Sequence, residues 1–101
     1  SFGAWVGLGV GNSRPDVEAL IGVAPPVGRV SFDFLRDSTK PKLVVYAGRD
    51  AIVDCEVLVE WASALREPKE VVGVPEADHL FTSQVDEVAE KVARFLIETL
   101  H

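Results

Sequence analysis

The fold class of this 101-residue chain is indicated by the segment Lys42-Leu43-Val44-Val45-Tyr46-Ala47-Gly48-Arg49-Asp50. Residues 43–47 form a compact apolar run that Gly48 closes. A strand with one face in water alternates apolar and polar residues, whereas a strand covered on both faces is apolar throughout. The segment therefore predicts a buried β-strand, with Asp50 just beyond its carboxyl end.

Two further short apolar runs have the same character. Residues 19–24 end at Pro25 and residues 70–74 end at Pro75. Residues 54–65 and 84–100 instead carry apolar side chains at helical spacing, which predicts two amphipathic helices. Asp54 is placed to cap the first of them. The opening residues 2–10 are small and apolar and fit either a helix or a strand.

Strands that are separated by helices pair in parallel. The expected fold is therefore a three-layer α/β arrangement: a partial doubly wound sheet of about three parallel strands, with helices on both faces. A sheet this small leaves its edges exposed. We expect residues 1–101 to form a single domain or part of one.

Composition narrows the classes of function. The formal net charge is −6 and the basic residues are scattered, so neither nucleic acid nor a membrane is an expected partner. Cys55 is the single cysteine, which excludes an internal disulfide and fits a reducing, cytoplasmic compartment. No apolar run approaches 18 residues, and no secretory signal is visible. His101 fits either a native end or a tag remnant.

The candidate reactive residues follow the predicted strands. In open parallel sheets, functional side chains collect at the carboxyl ends of the strands. Asp50 follows one strand, and His79 follows the next. Ser1 stands where a first helix would begin, so a strand before it would bring all three to the same edge. Their order along the chain is Ser, Asp, His.

With these three segments the chain resembles the C-terminal half of an α/β-hydrolase, close to the small serine hydrolases of the dienelactone hydrolase group. Ser1-Phe2-Gly3 is similar to the second half of the family's Gly-x-Ser-x-Gly nucleophile elbow. Residues 42–50 match the segment that supplies the acid, and residues 74–79 match the one that supplies the histidine. Many members have a glycine at the position of Ala47, whereas here the glycine is Gly48.

The resemblance implies a catalytic triad of Ser1, Asp50 and His79. The backbone N–H of Phe2 would supply one oxyanion-hole donor, and the family's second donor comes from a loop that precedes the elbow. The implied activity is esterase-like hydrolysis of a small ester or related acyl compound, without a cofactor or a metal. Asp54 offers a second carboxylate; Asp50 is preferred because it lies closer to the strand end.

Other interpretations stay open at this point. Phe32, Phe34 and Leu35 lie in a long loop, where they either line a substrate pocket or cover the core. The chain is alternatively a non-catalytic fragment or interaction module, which associates through its sheet edge with a copy of itself or with a missing N-terminal half. A third interpretation is a nucleotide-binding half-domain, based on the glycines at positions 7, 9 and 11.

Overall fold

A three-stranded parallel sheet lies at the centre of the computed structural model, which describes residues 14–25, 27 and 31–99. Its strands are β1 (Leu20–Val23), β2 (Lys42–Ala47) and β3 (Lys69–Val74), in the order β1-β2-β3. Both neighbouring pairs are parallel. The predicted sheet of three parallel strands is thus confirmed.

Two helices connect and follow these strands. Helix α1 (Cys55–Ser63) lies between β2 and β3, and helix α2 (Val85–Thr99) follows β3. A short 3-10 helix, Asp33–Leu35, interrupts the loop between β1 and β2. The carboxylate of Asp54 accepts hydrogen bonds from the first backbone N–H groups of α1, as its predicted capping role requires. The opening segment, residues 2–10, lies outside the described residues.

The side chains of β2 alternate between two hydrophobic clusters. Val44 packs in a first cluster with Leu58 of α1. Leu43 and Val45 pack in a second cluster with Phe95 of α2. Burial of one such aliphatic or aromatic side chain contributes about 1.5–3 kcal/mol. The two helices therefore cover opposite faces of the sheet, and the expected three-layer α/β architecture is confirmed.

The three strands are not equally buried. All of β2 except Tyr46 is buried, whereas β3 is mostly half-buried until Val74 at its carboxyl end. Among the described residues β3 pairs only with β2, so its other edge has no strand partner within that part of the chain. Within the described residues, neither α1 nor α2 has the length and the apolar composition of a membrane-spanning segment.

A buried lysine marks the amino end of β2. Lys42 is 2% exposed, and its Nζ donates hydrogen bonds to the carbonyl oxygens of Lys40, at 2.9 Å, and Arg66, at 2.7 Å. Burial lowers the pKa of Lys42 below its ordinary value. This cation ties together segments at the end of the sheet opposite to the candidate site.

Candidate functional site

Two adjacent loops form the candidate site at the carboxyl edge of the sheet. The acid loop, residues 48–54, leaves β2, and the histidine loop, residues 75–84, leaves β3. Because β2 and β3 are parallel neighbours, both loops begin side by side. The Nδ1 of His79 lies 2.8 Å from the Oδ2 of Asp50, and the two side chains are 14% and 2% exposed. The topology thus joins an acid and a histidine 29 positions apart in the chain.

Local backbone groups hold Asp50 in place. Its Oδ1 accepts the N–H groups of Ile52 and Val53, both at 2.8 Å. Burial by itself raises the pKa of Asp50, but the hydrogen bonds from His79 and the two backbone N–H groups outweigh it. The pKa of Asp50 is consequently below its ordinary value, and the group is a carboxylate at neutral pH.

The segment around His79 is anchored on both sides. The Oδ1 of Asp78 accepts the N–H of Thr82 at 3.3 Å, and the carbonyl of Asp78 accepts the N–H of Phe81 at 3.0 Å. Phe81 has a φ of 53°, which is uncommon for a bulky residue, yet its side chain is buried in the second cluster. The buried ring and the turn present Leu80 outward, where it is 78% exposed.

This geometry gives the histidine a definite chemical character. A carboxylate at Nδ1 accepts the proton of that nitrogen and so favours the tautomer with hydrogen on Nδ1. The lone pair of Nε2 is then available to take a proton from another group. A nearby carboxylate also stabilises the imidazolium that forms when His79 accepts that proton. The pair can therefore work as a general base.

The remaining residues predicted for the site are the alternative acid, the nucleophile and the oxyanion donor. Asp54, the alternative acid, caps α1: its Oδ1 lies 2.8 Å from the backbone nitrogen of Glu56. The structure thus brings Asp50, and not Asp54, to His79. Ser1 and Phe2, the predicted nucleophile and oxyanion donor, lie outside the described residues.

Of the three residues predicted to line a pocket or to cover the core, two are buried in the core and Phe34 is half-buried against it. Phe32 and Leu35 are each 2% exposed and belong to the first cluster. The ring of Phe32 contacts the ring of Trp61 edge-on, with centroids 5.8 Å apart, and Phe34 packs beside it at 5.9 Å. This packing favours the core-covering interpretation.

Two features of the site were not singled out from the sequence. Arg49 and Glu76 form an ion pair of 2.9 Å between the loops, with both side chains 70% exposed. Gly48 contacts the backbone of Pro75, with no space for a side chain between them. The sequence does show a glycine directly after a buried strand, which indicates close contact at Gly48. That the contact is made with Pro75 follows only from the tertiary fold.

Comparison with solved structures gives this arrangement a context. The chain is similar to an α/β serine hydrolase homologue from Coxiella burnetii, with 32% identity and a TM-score of 0.82 over 95% of this chain and 46% of that one. A serine hydrolase without a lid from Xanthomonas campestris matches at 28% identity and a TM-score of 0.81, over 97% and 44% of the two chains. An esterase domain from Rhodothermus marinus shares the fold at 21% identity and a TM-score of 0.78, over 94% and 56%.

Sequence comparison alone is less informative. An uncharacterized protein of Rickettsia prowazekii is 24% identical over 96% of this chain and 44% of its own length. The chain matches no model of a known protein family. It spans about half the length of the solved structures to which it is similar. The chain has the fold of about half of an α/β-hydrolase, which confirms the predicted resemblance.

Proposed function

We propose that this chain contributes the catalytic residues of a serine hydrolase that cleaves a small ester or related acyl compound. In this proposal Ser1 is the nucleophile, His79 the general base and Asp50 the carboxylate that orients it. The single observation that carries the proposal is the 2.8 Å contact between His79 and the buried Asp50 at the carboxyl edge of the sheet. The similarity to serine hydrolases and an esterase domain supports it.

The proposed reaction proceeds through an acyl-enzyme. Nε2 of His79 takes the proton of the Ser1 hydroxyl while Oγ of Ser1 attacks the ester carbonyl carbon. The C–O bond to the leaving alcohol breaks, and His79 returns the proton to that alcohol. Water, deprotonated by the same Nε2, then attacks the acyl carbon, and the Ser1 oxygen leaves with the proton. Asp50 stays ionised throughout and stabilises the imidazolium.

The oxyanion that forms on the carbonyl oxygen needs hydrogen-bond donors. The backbone N–H of Phe2 is the proposed donor from this chain, since it follows the nucleophile directly. Removal of one oxyanion donor from a known serine protease costs about 10²–10³ in rate. The proposed second donor belongs to the part of the fold that precedes Ser1, so full activity requires that part.

The substrate is proposed to carry an apolar group on the side of His79. Leu80 is the most exposed of the large apolar side chains within the described ranges, and it is the immediate neighbour of His79. An aliphatic group that rests on Leu80 would remove apolar surface from water. Esters of short aliphatic acids are consequently the first substrates to test.

The experiment compares hydrolysis of p-nitrophenyl acetate and butyrate by two forms of the protein. One is the chain alone, and the other carries the preceding half of an α/β serine hydrolase sheet in the same polypeptide. In the completed form, His79→Ala should lower kcat by about 10⁶, as removal of the triad histidine does in a serine protease. His101→Ala, at the second of the chain's two histidines, is the matched control. Undiminished hydrolysis by His79→Ala would contradict the proposed mechanism.

We further propose that additional β-structure covers the free edge of β1. Among residues 14–25, 27 and 31–99, β1 pairs on one side only, and Val23 at its end is 39% exposed. Parallel edges of this kind are normally covered. The occupant is either the preceding half of the hydrolase fold or a second copy of the chain. Light scattering separates the two, since a well-folded monomer of the isolated chain excludes self-association.

A further inference from the structure

The acid loop and the histidine loop meet through their backbones just before Asp50 and His79. The N–H of Gly48 donates to the carbonyl of Val74 at 2.9 Å. The N–H of Arg49 donates to the carbonyl of Ala77 at 2.8 Å. The first bond extends the parallel pairing of β2 and β3 by one residue, and the second joins the two loops. The position of one loop is therefore coupled to that of the other.

Gly48 stands at the closest point of this contact. A Cβ at position 48 would lie 2.4 Å from the carbonyl oxygen of Pro75, 2.6 Å from its Cα and 2.8 Å from its carbonyl carbon. Each of these distances is far inside the ordinary separation of non-bonded heavy atoms. All three atoms belong to the backbone, so no change of rotamer can relieve the overlap.

Conformational freedom is not the reason for a glycine here, because the φ of Gly48 does not lie in the left-handed region. The requirement is for space alone. The loops are also joined by the Arg49–Glu76 ion pair, whose two side chains are each 70% exposed. Exposed ion pairs contribute little, since water and salt screen them. The backbone contact at Gly48 is consequently a stronger determinant than this ion pair of how far apart the loops lie.

We infer that Gly48 is a positioning residue: by letting the acid loop touch Pro75, it sets the distance between Asp50 and His79. The inference rests on the proposed function, in which Asp50 and His79 are catalytic residues. Asp50 follows Gly48 by two positions, and His79 follows Pro75 by four. Separation of the loops at Gly48 therefore lengthens the 2.8 Å contact, and a hydrogen bond weakens steeply as its length and angle depart from ideal values.

The test replaces Gly48 by alanine and uses Gly73→Ala as the matched control. A Cβ at position 73 also meets close neighbours, the nearest at 2.4 Å, but these are side-chain atoms at the far end of Tyr46, which is half-buried and can turn aside. Both variants thus add one methyl group to a crowded glycine, and only one of them pushes the two loops apart. Asp50→Asn provides the reference for a broken pair.

The readout is the nuclear magnetic resonance signal of the Nδ1 proton of His79 in the 101-residue chain, which needs no catalytic activity. We expect a downfield, slowly exchanging signal in the unsubstituted chain and in Gly73→Ala. We expect Gly48→Ala to lose the signal as Asp50→Asn does, while circular dichroism shows that the fold persists. A native signal in Gly48→Ala overturns the inference, and so does loss of the signal in both glycine variants.

A second measurement decides the matter if Gly48→Ala does not fold. In the unsubstituted chain, an α-proton of Gly48 should show a strong nuclear Overhauser effect to the α-proton of Pro75. Absence of that effect overturns the inference without any variant. If the completed protein shows no ester hydrolysis while these signals are as expected, the proposed function fails and the positioning role of Gly48 stands.

Discussion

Replacement of Asp50 by asparagine isolates the contribution of the carboxylate to the site. The two side chains have the same shape, and the asparagine Oδ1 can still accept the N–H groups of Ile52 and Val53, which lie 2.8 Å from Oδ1 of Asp50. The amide nitrogen then faces Nδ1 of His79 in place of Oδ2, and it is a donor rather than an acceptor. His79 must therefore accept at Nδ1 and carry its proton on Nε2.

The expected magnitude follows from this change of tautomer. With a proton on Nε2, His79 cannot take one from Ser1, and the same substitution in a serine protease lowers kcat by about 10⁴. A factor of that size corresponds to about 5 kcal/mol of lost transition-state stabilisation. The fold loses less, because one hydrogen bond to a charged group contributes about 1.5–3 kcal/mol to stability.

Asp54→Asn is the matched control for this prediction. Asparagine caps helices about as well as aspartate, so α1 should begin normally and kcat should stay within about twofold. The assay is hydrolysis of p-nitrophenyl acetate by the completed protein, with chemical denaturation of each variant alongside. The reasoning is refuted if Asp50→Asn keeps kcat within tenfold of the unsubstituted protein, or if Asp54→Asn loses as much as Asp50→Asn.

Three further predictions concern stability. Phe32→Ala should cost about 3–5 kcal/mol in denaturant unfolding, because Phe32 is 2% exposed, whereas Leu80→Ala should stay within about 0.5 kcal/mol; a small effect at Phe32 would contradict its place in the core. The pKa of Asp50 is lowered in the fold, so the carboxylate stabilises the folded chain above the unfolded pKa of about 3.9, and this stabilisation is lost as the pH falls through the folded pKa. The stability of Asp50→Asn should therefore lack this part of the pH dependence. Identical acid unfolding profiles for the two proteins would argue against the lowered pKa. The pKa of Lys42 is lowered as well, so as the pH rises the folded chain releases this proton before the unfolded chain does. The free energy of unfolding should therefore increase between the folded pKa and the unfolded pKa of about 10.4. Lys42→Met should remove that increase, and an unchanged alkaline stability profile would count against the buried cation.

The sheet could be predicted from the sequence because its strands are covered on both faces. A short apolar run such as residues 43–47, rich in valine and closed by Gly48, is typical of a buried strand. Asp50 and His79 could be predicted as neighbours for the same reason, since parallel strands place their carboxyl ends at one edge. The 2.8 Å contact depends on this topology more than on any local motif.

Other features depend on contacts that no local pattern reveals. Phe32 and Leu35 occur in a loop, and only the tertiary fold shows that they fill the space beside Trp61. The crowding of Gly48 against Pro75 likewise arises from two segments that are distant in sequence. The sequence therefore does not decide whether an apolar loop side chain lines a pocket or belongs to the core; this depends on the helices and strands that pack against the loop.

Fluorophosphonate labelling is the sharpest test of the proposed serine hydrolase site, because the probe reacts much faster with an activated serine than with ordinary hydroxyl groups. The chain, completed by the preceding half of the fold, is treated with the probe, and mass spectrometry locates the modified residue. We predict modification at Ser1, with labelling abolished in His79→Ala and retained in His101→Ala. Modification of another residue, or labelling of Ser1 that does not depend on His79, would contradict the proposed triad.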